Sequence, residues 1–122
     1  MVLWLQGGPG FSLLFGLFSL NGPIILNKNL EGSLRNYTWA QEFNVVYIDQ
    51  PVGAGFSFTH NDDGYAKDED DVARDLYEAL RQFFTLFSEY RKNDFYITGE
   101  SYAVDMYLRL HPKFILKVQK QI

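Results

Sequence analysis

Three short apolar runs punctuate the chain: VLWLQ at 2–6, NVVYID at 44–49 and DFYIT at 94–98. They are rich in aliphatic, β-branched and aromatic residues and end at glycine, proline or other turn residues, the pattern of strands buried on both faces. Gly7-Gly8-Pro9-Gly10 closes the first run with a glycine turn, and Gln50-Pro51 stops the second. Between the second and third runs, Val72, Leu76, Leu80, Phe83, Phe84 and Phe87 recur at three-to-four spacing, which predicts an amphipathic helix over 68–87. A second helix is predicted from Tyr102 to Leu110, where Ala103, Met106, Tyr107 and Leu110 repeat, with Pro112 expected to end it. Residues 11–20 are apolar, and 24–44 read as loop and short extended pieces. The tail KFILKVQKQI is basic and apolar with no clear period. The order strand, long connection, strand, helix, strand, helix predicts an α/β fold with a parallel sheet. Strands of this kind expect neighbours on either side. An open apolar edge would leave the isolated chain aggregation-prone or only partly ordered.

Composition and charge narrow the function. The chain has 122 residues, room for one modest domain, and 17% of them are aromatic. Its net charge is −4 and its cations are scattered, which argues against nucleic-acid binding. No cysteine is present, so disulfide, zinc–thiolate and cysteine-nucleophile chemistry are excluded. The acidic run Asp68–Asp71 reads as a solvated helix start favoured by the helix dipole, rather than as a metal site. The apolar start is interrupted by GGPG and has no cationic flank, so it is read neither as a signal peptide nor as a membrane span. On that reading the chain stays in the cytosol or lacks its true N-terminus.

The candidate chemistry sits at TGESYA, residues 98–103. A serine nucleophile gains from a sharp strand-to-helix turn, which lifts its Oγ out of the sheet at a helix N-terminus. Small residues must stand two before and two after it; here they are Gly99 and Ala103 around Ser101. Acyl transfer also needs backbone N–H donors aimed at the developing oxyanion. One donor would follow the serine, at Tyr102, and one would come from a glycine-rich loop after an earlier strand, which GGPG supplies. The helpers are missing. A serine needs a histidine to take its proton and an acid to orient that histidine. Downstream of Ser101 stand only Asp105 and His111, on the same predicted helix; His60 lies upstream in the turn cluster HNDDG. All three are expected to be ordinary surface residues.

The segments WLQGGPG, GLF, NGP, NVVYIDQPVGAGFSFT, DDVARDLYEAL and NDFYITGESYA resemble the serine carboxypeptidase family, particularly its vitellogenic-like branch. The likeness runs from residue 2 to about 103. It implies a partial α/β-hydrolase domain over 1–103, followed by a divergent tail, 104–122. It further implies Ser101 as nucleophile, with the Gly8 and Tyr102 amides as the oxyanion hole. Gln6 and Glu100 match the positions that grip a peptide's C-terminal carboxylate, and Trp4 would line that subsite. Two carboxylates cannot share a hydrogen bond while both are ionised, so Glu100 would hold a proton as the substrate terminus docks. The implied partner is therefore a peptide C-terminus, with no metal or organic cofactor. The resemblance also implies a lysosomal or secreted setting, which agrees with the sequon Asn36-Tyr37-Thr38.

Several positions depart from the family. Val104 stands where a glycine usually follows GESYA, and Leu13 and Leu20 replace a customary serine and glutamate. The family's acid and histidine follow the serine on later strands, so the chain as it stands is expected to be inactive alone. The rival readings are a non-catalytic truncated product that binds peptides or partners or does nothing, and an acyltransferase or esterase on the same scaffold.

Overall fold

The computed structural model describes the backbone of residues 1–118 and the side chains of residues 1–112. The side chains of the tail read above as aperiodic, 113–122, lie outside the described residues. Strand β1 (Val2–Leu5) is buried along its whole length. On its two sides run β4 (Val45–Tyr47) and β5 (Tyr96–Gly99), both parallel to it, in the order β4-β1-β5. The parallel sheet expected from the sequence is therefore present. The edges differ from expectation. Only β1 has neighbours on both sides among the described residues, while β4 is half-buried and β5 is exposed at its ends.

Alternation along β1 divides two packing layers. Leu3 and Leu5, both fully buried, face the helices. Helix α1 (Glu69–Leu86) contributes Val72, Leu76 and Leu80; helix α2 (Ala103–Val118) contributes Ala103, Met106 and Leu110. The predicted stripe on α1 is thus the one that packs, and the Asp68 side chain caps the helix by accepting the Asp71 N–H. Gln6 and Trp4 belong to the opposite face, where Trp39 meets Trp4 edge-on at 5.3 Å. A fully buried leucine at the centre of such a layer stabilises by roughly 1.5–3 kcal/mol relative to exposure.

Two local expectations change. Helix α2 begins at Ala103 and runs through Pro112, which lies inside it. Proline removes one i→i−4 bond, yet its φ is compatible with a helix, so the turn can continue beyond it. Residues 11–20 are not simply apolar connection: Gly16–Leu20 forms a π-helical turn. Beyond it, β2 (Ile24–Leu26) and β3 (Gly32–Leu34) form an antiparallel hairpin, where the sequence showed only short extended pieces. Asn27 organises its turn by accepting the Asn29 and Glu31 amides.

Candidate active site

The nucleophile candidate sits where β5 ends. Gly99 closes the strand, Glu100 and Ser101 make the turn, and Ala103 opens α2. Ser101 is exposed and held at φ +55°, a left-handed conformation that costs a serine energy. The small neighbours have a direct cause. A Cβ at Gly99 would lie 2.5 Å from the Ala103 Cβ and 2.5 Å from the Leu5 carbonyl oxygen. Only glycine lets the strand, the helix start and β1 approach this closely.

Opposite the turn lies the glycine loop that leaves β1. A Cβ at Gly7 would meet the Ser101 Cβ at 2.8 Å, the Glu100 carbonyl oxygen at 3.1 Å and the Ser101 Oγ at 3.3 Å. The loop is therefore pressed against the serine. Gly8 takes φ +130°, which an L side chain rarely adopts. The Gly8 and Tyr102 amides and the Ser101 hydroxyl have no hydrogen-bond partner among the described residues. A cavity of about 300 Å³ opens here, lined by Gln6, Gly7, Gly8, Glu100 and Ser101, with Phe11 and Phe15 at its side.

Three of the predicted site residues form a hydrogen-bonded relay. The Trp4 indole N–H donates to the Gln6 Oε1 at 3.2 Å, and the Gln6 Nε2 donates to the Glu100 Oε1 at 2.5 Å. Gln6 is buried while Glu100 is exposed, so the amide orients a carboxyl at the cavity wall. Gly16 permits the arrangement, because a Cβ there would lie 2.7 Å from the Trp4 Nε1 and 3.0 Å from the Gln6 Oε1. The sequence showed no role for this glycine, whose need arises from a contact across the sheet face.

Tyr102 is anchored away from the cavity. Its hydroxyl donates to Glu69 Oε1 at 2.5 Å, and that bond, with burial and the carboxylate's charge, pushes the phenol up to about 12. The same bond, foremost among several causes, holds the Glu69 carboxyl below its ordinary value. Glu69 had signalled only a helix start. Asp49 was likewise hidden inside a strand-like run, and it binds groups from two loops.

The titratable candidates near the serine do not join it. His111 packs its ring on Tyr107 at 5.3 Å, ten residues along the chain from Ser101. Ten helical residues span about 15 Å. His60 lies against Phe58 at 5.0 Å. Among the described residues no group of three His, Asp or Glu could hold a metal ion. No described helix is long and apolar enough to cross a membrane. Asn36 is exposed, and the hydroxyl of Thr38 in the same sequon donates to the Asn21 carbonyl at 2.6 Å.

A parallel sheet with a positive-φ serine between strand and helix defines a partial α/β-hydrolase fold. The comparisons agree. A sequence model of the serine carboxypeptidase family matches residues 1–121. The chain belongs to that family. It is 61% identical over 103 residues to a mouse probable serine carboxypeptidase, CPVL, covering 84% of this chain and 22% of that protein. Over the same 103 residues it is 56% identical to the honeybee venom serine carboxypeptidase and 49% identical to the Aedes aegypti vitellogenic carboxypeptidase. The alignments cover 84% of this chain and 22% of each of those two proteins. The solved structure of Kex1(delta)p, a prohormone-processing carboxypeptidase from Saccharomyces cerevisiae, superposes with a TM-score of 0.90 at 27% identity. That match covers 97% of this chain and 26% of the yeast chain. The chain thus spans about a fifth of the length of the curated relatives it matches, 22% for the mouse protein.

Proposed function

We propose that the chain carries the nucleophile half of a serine carboxypeptidase site, one that releases C-terminal residues from peptides through an acyl-enzyme on Ser101. In this reading Ser101 Oγ attacks the scissile carbonyl, and the Gly8 and Tyr102 amides receive the developing oxyanion. Gln6 and Glu100, steadied by Trp4, hold the substrate's terminal carboxylate, with Glu100 supplying the shared proton. The observation that carries the proposal is the meeting of two glycine-dependent turns. The Gly7 loop abuts a positive-φ Ser101, and the amides beside it have no protein partner among the described residues. Among the described residues no base stands in reach of Ser101, since His111 faces Tyr107. The 122-residue chain is therefore inactive alone, with the general base and its acid belonging to other sequence. We divide it at residue 103, the serine-bearing unit being 1–103 and 104–122 a divergent tail. A lysosomal or secreted setting and modification of the exposed Asn36 belong to the same proposal.

The test grafts residues 1–103 into a full-length curated relative. The graft should label with a fluorophosphonate and trim peptide acids, and Ser101→Ala should abolish both. An unlabelled but folded graft would overturn the reading. Leu20 favours one second reading. It is exposed where the family usually has a carboxylate, which weakens the terminal-carboxylate grip. If the scaffold serves acyl transfer or ester cleavage instead, the graft would prefer esters and peptide amides to peptide acids.

A further inference from the structure

Asp49 gathers two loops that the sequence separates. Its Oδ1 accepts the Ser12 hydroxyl at 2.8 Å and the Leu13 amide at 2.7 Å; its Oδ2 accepts the Phe56 amide at 2.9 Å. The Ser57 hydroxyl donates to the Asp49 backbone carbonyl at 2.5 Å. Ser12 and Leu13 stand just beyond the glycine loop that carries Gly8, and Phe56 and Ser57 belong to the loop that follows β4. The second loop is shaped around the carboxylate. Gly55 sits at φ +54°, and a Cβ there would lie 2.2 Å from the Asp49 Oδ2. Hydrogen bonds to an ionised carboxylate are roughly twice as strong as neutral ones. Partial burial works to raise the Asp49 carboxyl. The bonds from Phe56, Ser12 and Leu13 outweigh it and hold the group below its ordinary value.

The glycine loop needs such an anchor. Its near end is fixed by β1. Gly8 at φ +130° and Gly10 at φ +87° then lie in a region with little intrinsic preference for one conformation. The Gly8 amide makes no bond of its own among the described residues. Its direction is set by the two ends of the loop, and Asp49 holds the far one. We infer that Asp49 is a positioning residue: acting through Ser12 and Leu13, it keeps the Gly8 amide aimed at the space above Ser101. This rests on the role proposed above for that amide.

The test uses the 122-residue chain and does not require Ser101 to react, so it stands apart from labelling of the graft. Hydrogen exchange by mass spectrometry at submicromolar protein reads the loops, and 15N-resolved spectra of the chain held singly in reverse micelles, where its open sheet edges cannot pair, read the amides of Gly7, Gly8 and Gly10. Asp49→Asn removes one acceptor and places an N–H₂ against a donor. It should speed exchange in 7–14 and 52–58 by about tenfold, the effect of losing one charged hydrogen bond. The three glycine signals should broaden or double, while α1 exchanges as before. Ser12→Ala should loosen 7–14 alone and by less. Unchanged glycine signals in Asp49→Asn would overturn the inference, as would wild-type loops that already exchange at the unstructured rate. Should Asp49→Asn open α1 as well, Ser12→Ala decides: selective loosening of 7–14 supports the anchor, and none overturns it.

Discussion

Replacing Gly99 with alanine tests the geometry on which the site depends. Gly99 pairs with Leu5 across the β1–β5 ladder and sits two residues before Ser101. The added Cβ would lie 2.5 Å from the Leu5 carbonyl oxygen, 2.5 Å from the Ala103 Cβ and 3.0 Å from the Leu5 Cβ. None of these is the far end of a flexible side chain. The oxygen belongs to the central strand, and Ala103 is fixed in the first turn of α2. Relief requires β5 or α2 to move. Overpacking of this kind costs about 1–3 kcal/mol. The Glu100 N–H to Leu5 carbonyl bond, already 3.3 Å long, would be stretched further. Its loss adds about 0.5–1.5 kcal/mol, for a total of about 1.5–4.5 kcal/mol.

Urea unfolding followed by tryptophan fluorescence measures this, because Trp4 is only 8% exposed and lies in β1. With a urea slope of about 2 kcal/mol/M, the midpoint should fall by about 1–2 M. Submicromolar protein suppresses association during the measurement. Gly32→Ala is the control, since its Cβ would meet only the Ile24 Cγ2 at 3.4 Å and the Leu26 Cδ2 at 3.9 Å. That change should stay within about 0.5 kcal/mol. A Gly99→Ala midpoint indistinguishable from the control would show that β5 and α2 do not close on β1 as described, and the seat of Ser101 would go with them.

Other perturbations probe separate layers. Leu80→Ala empties a fully buried position between α1 and the sheet and should cost about 2–5 kcal/mol in the same urea assay; a cost below about 1 kcal/mol would mean that α1 is not seated. The Tyr102 phenol keeps its proton to higher pH in the folded chain than in the unfolded one. Its contribution to stability is therefore complete below pH 10.0 and lost as pH rises toward about 12. Tyrosine absorbance at 295 nm should show a late phenol that titrates earlier in Glu69→Gln, and an unmoved titration would break the Tyr102–Glu69 link. The outer edges of β4 and β5 have no strand partner among the described residues, so the isolated chain should self-associate at micromolar concentration. Light scattering from a monodisperse monomer that melts sharply would refute this.

The parts of the fold legible in the sequence were those governed by local pattern. The β1, β4 and β5 runs announced themselves by composition, and α1 by the recurrence of Val72, Leu76 and Leu80 on one face. The serine turn was legible because close approach leaves a trace in sequence: part of the reason Gly99 and Ala103 are small is that they meet each other four residues apart. What escaped was set at long range. Gly16 is small because of Trp4 and Gln6, twelve and ten residues earlier. Asp49 looks like the last residue of a strand, and its three donors lie 36 and 37 residues before it and 7 after. Pro112 was expected to end α2, a rule that reflects the lost hydrogen bond without the compatible φ.

The order of the sheet explains why the two halves of the site can be distant in sequence and adjacent in space. The chain reaches β4, crosses by α1, and enters β5 on the far side of β1 rather than beside β4. That crossover places the C-terminal ends of β1 and β5 next to each other, in register from Val2 opposite Tyr96 to Leu5 opposite Gly99. Whatever follows Leu5 must then face whatever follows Gly99. A glycine loop after the first and a serine turn after the second are enough to bring Gly7, Gly8 and Ser101 to one cavity. Neither segment needs any affinity for the other. A one-residue slip of β5 against β1 would turn Gly99 to the wrong face and drive a side chain into Leu5. The same glycine that seats the serine therefore also sets the register, and the chemistry of the site and the pairing of the sheet stand or fall together.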